Sequence, residues 1–495
     1  AVTKDSRFIQ DELSERLAIA GLLPMFGFPT RVRNLFSPQG STVSNSVISD
    51  RPLDHAVWSF SPGAEIPKDK QLHTACGFGL REDKFGKLGW AGNPLGDPIL
   101  FSKCIDDACA SIQQGVHEEC SVCPEPAVEF KLFQPKGFIT TMSPKDYDGQ
   151  RQRGPTISPP KLAFEPDYSD PLVVGATNLV LTDRKPIALV NDNNGDMFEF
   201  YNWYGTVVVP DEKLYRDEAS PKKVGEPFEN GAIGTVFTTD VLSLVIKSAK
   251  DIGNGGVLDI EQPSTKSAIA SFGEFLKMAA ATYLDVDPSE LRAGRQRYRL
   301  PNCVTEQLFI SDTLENGAGY VRRIFNKERF LSVIQDYYEV VSSYWEGMGH
   351  GDCDLSCPDC LRSYGNRMEH HLLDWRLALD LAELAIGKPL NLDRWLGQGS
   401  LVASRFADLC GKTGINVTVE DACGLPAVVY ENKSALILGH PLWHQREGLA
   451  TDQQINGKLD LQGVYGGGFN CEFVDMRDLK NCPQKYILQL GQLDD

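Results

Sequence analysis

Three thiols stand within eight residues at Cys353, Cys357 and Cys360, with Pro358 between the last two and an imidazole at His370, ten residues beyond Cys360. Zn²⁺ takes four nitrogen or sulfur ligands in a tetrahedron, and short knuckles bring thiolates together at little conformational cost. This spacing therefore suits a closed structural zinc site.

A second group reads Cys104-x4-Cys109 and Cys120-x2-Cys123. Its spacing is that of a zinc ribbon, in which the metal replaces the core that so short a segment cannot build. Cys76 is an alternative ligand there, and small buried hydrophobes are the bland reading of the same cysteines. The chain has thirteen cysteines, an odd total that does not suit a fully paired secreted framework, so reduced and zinc-loaded thiols are the expectation. Two zinc sites are expected.

Other chemistries fare less well. A nucleotide-hydrolysing loop needs Gly-x4-Gly-Lys-Ser/Thr to wrap phosphates in backbone amides. Gly411-Lys412-Thr413 has Phe406 where the first glycine should stand, and Asp11-Glu12 sits in an amphipathic stretch. ATP hydrolysis by this chain alone is not expected. No Gly-x-Ser-x-Gly elbow is present. Asp421, Glu431 and Lys433 could form a Mg²⁺-dependent nuclease core if they converge, since two carboxylates and a lysine can hold the ion and activate water; the spacing arises often by chance, and a charged turn at Glu431 to Lys433 is the favoured reading.

Hydrophobic residues make up 42% and charged residues 23% of the 495, which fits ordinary globular domains. No run approaches the ~18 apolar residues of a membrane span, and the N-terminus lacks the apolar core of a signal peptide, so a cytoplasmic protein with no membrane partner is expected. The chain opens with Ala1, as a processed product or a piece of a longer protein would. The net charge of −18 excludes a surface that is basic throughout. Any nucleic-acid contact must come from local stripes. Arg31 and Arg33 form one candidate, and Arg292, Arg295, Arg297 and Arg299 another; on a strand the last three share a face and could meet successive phosphates. Ion pairing with acidic neighbours is the competing reading.

The elements that must position these groups make a mixed α/β, multidomain chain. Apolar spacing predicts helices over 6–24, 266–284 and 327–345 and a further one through Leu377 and Leu384. Strand-like runs flank the polar turn Asn191 to Gly195, read as a hairpin. The expected order is a helical linker (1–60), a zinc-ribbon segment (61–136), an exposed connection (137–165), a β-rich block leading into a helical zinc-knuckle domain (166–394) and a small α/β module (395–495).

Asp312-Thr-Leu-Glu-Asn-Gly317-Ala-Gly319-Tyr320, the Cys353/Cys357/Cys360 knuckle, Leu361-Arg-Ser-Tyr364-Gly-Asn366 and His370-x2-Leu373-Asp374 together resemble the zinc-binding domain that ends many bacterial superfamily 2 DEAD/DEAH-box helicases. MrfA-type repair helicases and the large helicases of the DISARM and Druantia anti-phage systems carry that domain. The resemblance extends over roughly residues 5–390 through Gly21 to Arg31, Ser61 to Ala64, the Cys104 to Cys123 group, Val190 to Gly195 and Thr239 to Leu242. It implies that 1–60 follows an absent motor and that 166–394 is the MrfA-type domain. It also implies a fourth ligand for the knuckle. MrfA-type members use another nearby Cys that is absent here, which leaves His370 first, with His371 and Cys303 behind it. The implied partners are DNA, a helicase motor in cis or in trans, and other defence-system subunits. The functional expectation is an accessory post-motor region of a defence or repair helicase. A non-catalytic scaffold of a defence complex is the alternative, and a nuclease comes third.

Overall fold

The computed structural model describes residues 32–491 apart from 85–86, 148, 150–157, 211–225, 247–251, 253–255, 257, 301–302 and 432. The expected 6–24 helix and Arg31 lie outside the described residues. The architecture is mixed α/β, in two compact units. One takes the described residues of Ala1–Glu165, Thr182–Val241 and Ser311–Gly319; the other takes those of Pro166–Leu181, Leu242–Ile310 and Tyr320–Asp495.

The first unit is built around the strand Gln71–Phe78, buried from Leu72 onward. Glu65–Lys68 and Phe138–Thr140 pair with it antiparallel, and so does Thr206–Val208. Such crowding needs Gly77, where a Cβ would stand 2.2 Å from the Val207 carbonyl oxygen. Phe78 meets Phe138 and Phe200 with ring centroids 5.5 and 5.8 Å apart, which makes an aromatic core. The expected exposed connection at 137–165 instead starts with a fully buried strand, because Phe138 supplies a side chain to that core and Ile139 to a second cluster with Phe36 and Val208. At Asn193–Gly195 the structure has a tight 3-10 turn. The flanking strands, Thr177–Asn191 and Phe198–Trp203, both pair with Glu229–Ile246. A turn signal is local, whereas the choice of strand partner is made by the sheet.

Ile99–Cys104 pairs antiparallel with Ala127–Phe133, and Ile112–Gln114 adds to its other edge. This small sheet carries the first cysteine group.

In the second unit the helix Pro263–Leu284 is buried on nearly every side. Its run of Ala, Ser and Gly lets neighbours approach closely, and Lys327–Trp345 and Trp375–Ile386 pack on it. The predicted helices at 266–284, 327–345 and Leu377 to Leu384 fall within these three. Beyond them Val417–Ala422, Leu425–Tyr430 and Ser434–Gly439 form an antiparallel ladder, to which Asn470–Asp475 adds in parallel. A parallel neighbour requires a crossover, supplied by the helix Asp452–Tyr465. A Thr451–Gln454 capping box fixes the start of that helix. Gly411 and Lys412 close the helix Asp393–Lys412, so Gly-Lys-Thr lies at the carbonyl end of a helix, where the dipole repels phosphate.

Arg394 is buried among Asp380, Glu383 and Glu346. Trp395 Nε1 donates to Asp380 Oδ2 at 2.7 Å, and His440 Nε2 lies 3.4 Å from the same oxygen. One arginine thereby ties the start of its own helix to the two before it.

Candidate metal centres

The first centre grows from the end of a strand. Cys104 is the last residue of Ile99–Cys104, and its N–H donates to the Ser111 carbonyl at 3.0 Å. The turn between them is closed by Cys109 N–H to Asp106 O at 3.0 Å, and the second knuckle by Cys120 N–H to Glu125 O at 3.0 Å. These turns aim all four thiols at one point. Cys104 Sγ and Cys123 Sγ are 3.3 Å apart, and Cys109 Sγ and Cys120 Sγ 3.8 Å. The four sulfurs all lie within 4.8 Å of one another. A tetrahedron with Zn–S arms of about 2.3 Å has edges of about 3.8 Å, so the set fits zinc.

The surroundings favour a thiolate at one corner. Burial works against the charged form at Cys120, but Ser111 Oγ at 2.9 Å and the backbone N–H groups of Cys123 and Val122 outweigh it, bringing that thiol down to about 7. Burial pushes Cys104 and Cys109 up. A cation is what would ionise those two, since a coordinating thiol loses its proton outright.

The second centre forms where Lys327–Trp345 ends. A single 3-10 turn, Met348–His350, swings His350 back under Trp345 and Trp375, with ring centroids 6.5 and 5.5 Å away. His350 Nδ1 lies 3.2 Å from the Trp345 carbonyl oxygen, which fixes a proton on that nitrogen and leaves the Nε2 lone pair free. Nε2 is 3.3 Å from Cys357 Sγ. Cys353 and Cys360 have sulfurs 4.0 Å apart, and the Cys357 N–H donates to Cys360 Sγ at 3.0 Å. All four ligand atoms again lie within 4.8 Å of one another, three thiols and one imidazole, a donor set for zinc. Burial, followed by neighbouring thiols, pushes Cys353 up, and burial takes Cys360 to about 11, so these ligands too await a cation.

The fourth ligand corrects the sequence expectation. His370 Nε2 lies 3.0 Å from Ser363 O and 2.9 Å from Asn366 Oδ1, so it braces the loop after the knuckle. His371 is exposed, and the Cys303 side chain lies outside the described residues. The signal for His350 was present: His350-x2-Cys353 repeats the spacing of Cys357-x2-Cys360 on the N-terminal side. Cys76 packs with Phe36, Ile139, Tyr201 and Val208, and burial raises its thiol to about 12.

Asn366 joins the knuckle to the buried helix. Its Nδ2 donates to Glu274 Oε2 and to Leu361 O, both at 2.8 Å, while its Oδ1 accepts from Ser363 N at 2.8 Å.

The arginine stripe has the predicted alternation: Gly294 and Gln296 are buried, and Arg295, Arg297 and Arg299 point the other way. Two of the three are engaged. Arg295 pairs with Glu306 and Glu369, each at 3.1 Å, and Arg297 with Glu261 at 2.6 Å. Arg299 is exposed, and Arg292 is half-buried. Arg33 donates through Nε to the Pro135 carbonyl at 2.6 Å, which spends it on a loop. Asp421 and Glu431 do not converge. Asp421 faces Pro426 across the ladder, whereas Tyr430, next to Glu431, faces Val417. Four residues of strand separate the two positions, about 13 Å at ~3.3 Å per residue. Asp421 accepts from Gly424 N, and Glu431 pairs with its own neighbour Lys433 at 3.1 Å. No helix among the described residues is long and apolar enough to cross a membrane.

The second centre falls in a stretch with known relatives. Residues 272–361, which hold His350 and all three cysteines of the knuckle and stop short of His370, match the family model of the MrfA Zn-binding domain. Over 428 residues, 77% of this chain, the sequence is 25% identical to the Druantia protein DruE of Escherichia coli (strain UMEA 4076-1). The match spans 22% of that protein's length. The solved structure of the DUF1998 helicase MrfA bound to DNA covers 69% of this chain and 33% of its own, at 12% identity and a TM-score of 0.33. The same helicase bound to DNA and AMPPNP covers 59% and 35%, at 11% identity and a TM-score of 0.20. Residues 272–361 thus match the MrfA Zn-binding domain, and the two four-ligand groups of the chain fit two zinc sites.

Proposed function

We propose that this chain is an accessory region of a helicase-related defence or repair protein, in which zinc-stapled domains bind nucleic acid and partner subunits while a motor in cis or in trans hydrolyses ATP. The observation that carries the reading is the coincidence of the His350/Cys353/Cys357/Cys360 centre with the segment matching the MrfA Zn-binding domain. The likeness to DruE over most of the chain supports the defence context. On this reading the work is positional: phosphate contacts fix a strand, and zinc keeps the knuckles rigid without chemistry of its own. DNA is the partner proposed, in the cytoplasm.

A second reading, a protein-interaction scaffold, draws on a different observation. Arg295 and Arg297 are paired with glutamates, and the chain carries a net charge of −18. Titration of the zinc-loaded chain with single-stranded and duplex DNA over a salt series separates the two. Affinity that falls steeply with salt supports strand handling, because each phosphate contact releases a counterion. Absence of binding at low salt moves the assignment to the scaffold. ATP hydrolysis by the chain alone would overturn the accessory role.

A further inference from the structure

Two helices of the second unit start with the same three-residue pattern. Asp374-Trp375-Arg376 opens Trp375–Ile386, and Asp475-Met476-Arg477 opens Met476–Asn481. Each aspartate is the N-cap: Asp374 Oδ1 accepts from Arg376 N at 3.1 Å, and Asp475 Oδ1 from Arg477 N at 2.8 Å. Capping explains the aspartates. It does not explain the arginines.

Both arginines are buried, with only 9% of Arg376 and 6% of Arg477 exposed. Arg477 Nε donates to Asp374 Oδ2 at 2.9 Å, the one hydrogen bond of its side chain among the described residues. Arg376 donates through Nη1 to the Asp354 carbonyl at 2.6 Å, and its Nε is buried with no partner. Trp375 and Trp395 flank that guanidinium at 4.3 and 6.0 Å, which offsets part of the desolvation without using its donors. A buried charge with idle donors is costly, and a Met or Leu would fill the same space more cheaply. The cost is understandable if something else accepts from these groups.

The arginines line one cleft together with Lys480, Asp374, Trp395 and Gln398. The cleft opens to solvent. Lys480 Nζ reaches the carboxylate of Asp354, whose side chain is 68% exposed. Three cations thus stand among Asp374 in the cleft, Asp354 at its rim and the buried Asp475 beside Arg477. At its wall the twelve-residue helix Trp375–Ile386 presents its N-terminal, positive end.

We propose that this cleft is a phosphate site, in which Arg376, Arg477 and Lys480 receive the oxygens of one phosphate group. The ligand chemistry is a phosphate oxyanion, supplied either by a nucleic-acid backbone or by free phosphate or a nucleotide. Asp354 lies between Cys353 and Leu355 on the second zinc knuckle, so zinc holds one rim of the site in place. The inference stands apart from the accessory-region reading: the cleft would bind phosphate whether or not the chain handles DNA.

The test uses the full zinc-loaded chain. Inorganic phosphate is titrated by calorimetry, then added to a complex of the chain with a labelled single-stranded oligonucleotide. Saturable one-to-one phosphate binding, weakened at least tenfold by Lys480→Ala and by Arg376→Gln, is the expected result. Lys480→Ala decides the matter if Arg376→Gln does not fold, because Lys480 pairs only at the surface. Displacement of the oligonucleotide by phosphate identifies the backbone as the source; phosphate binding without displacement identifies a free phosphate or nucleotide. Phosphate that fails to saturate, or binds Lys480→Ala as tightly as the parent chain, overturns the proposal.

Discussion

His350 Nε2 lies 3.3 Å from Cys357 Sγ while its Nδ1 is held 3.2 Å from the Trp345 carbonyl oxygen. The second contact selects the tautomer that makes the first one a ligand. His350→Ala should therefore cut zinc from two per chain to one, measured by elemental mass spectrometry, and His350→Cys should keep two. His370→Ala should also keep two. One zinc in His370→Ala with two in His350→Ala would reverse the assignment.

Ser111 supports the first centre without being a ligand, since its Oγ is 2.9 Å from Cys120 Sγ. Partners of this kind are typically worth 10–100-fold in metal affinity. Ser111→Ala should retain both zincs yet lose one to a competing chelator with roughly tenfold lower affinity. An unchanged competition curve would remove Ser111 from the site.

Arg394 pairs with three carboxylates at once, the buried Asp380 and Glu383 and the partly exposed Glu346. Arg394→Met should destabilise that unit by about 3–5 kcal/mol in urea unfolding, most of it from buried carboxylates left without their cation. A loss below about 1 kcal/mol would mean that solvent reaches them.

Two buried aspartates should respond to pH in opposite senses. Burial opposes charge on Asp380, but His440, Arg394 and Trp395 Nε1–H outweigh it and hold the carboxyl below its usual range. Its contribution is present above the unfolded pKa of about 3.9 and is lost as pH falls through the still lower folded value. Burial dominates at Asp475 and raises it to about 6. That contribution is complete below about pH 3.9 and disappears as pH rises through about 6. Asp475→Asn should therefore flatten the stability profile between pH 4 and 6, as read by urea midpoints, while keeping the cap on Arg477 N–H. A profile parallel to the parent's would show that Asp475 is ionised throughout.

Arginines of the stripe should separate by role. Arg295 is committed to Glu306 and Glu369, so Arg295→Ala should lower the melting temperature and leave any DNA affinity almost unchanged. Arg299 is exposed, and Arg299→Ala should weaken DNA binding across sequences and reduce the salt slope by about 1. Equal DNA binding by both variants at every salt concentration would take the stripe out of the interface.

Local spacing alone determined that Cys104, Cys109, Cys120 and Cys123 stand as one set of four thiols and Cys353, Cys357 and Cys360 as one set of three. Ligand sets of this kind lie within a few turns of chain, so sequence distance limits spatial distance. The helices at 263–284, 327–345 and 375–386 were legible for the same reason, since apolar period is a property of neighbours. Tertiary structure decided the rest. It chose His350 over His370 because a 3-10 turn under Trp345 and Trp375 aims one imidazole inward, while Asn366 and Ser363 hold the other away. It paired Arg295 with Glu369, 74 positions along the chain, and set Asp421 apart from Glu431 across a ladder whose register neither residue reveals. It also brought Arg477 to Asp374 across 103 positions. Contacts of that range depend on how whole elements pack, a condition that no short window of sequence contains.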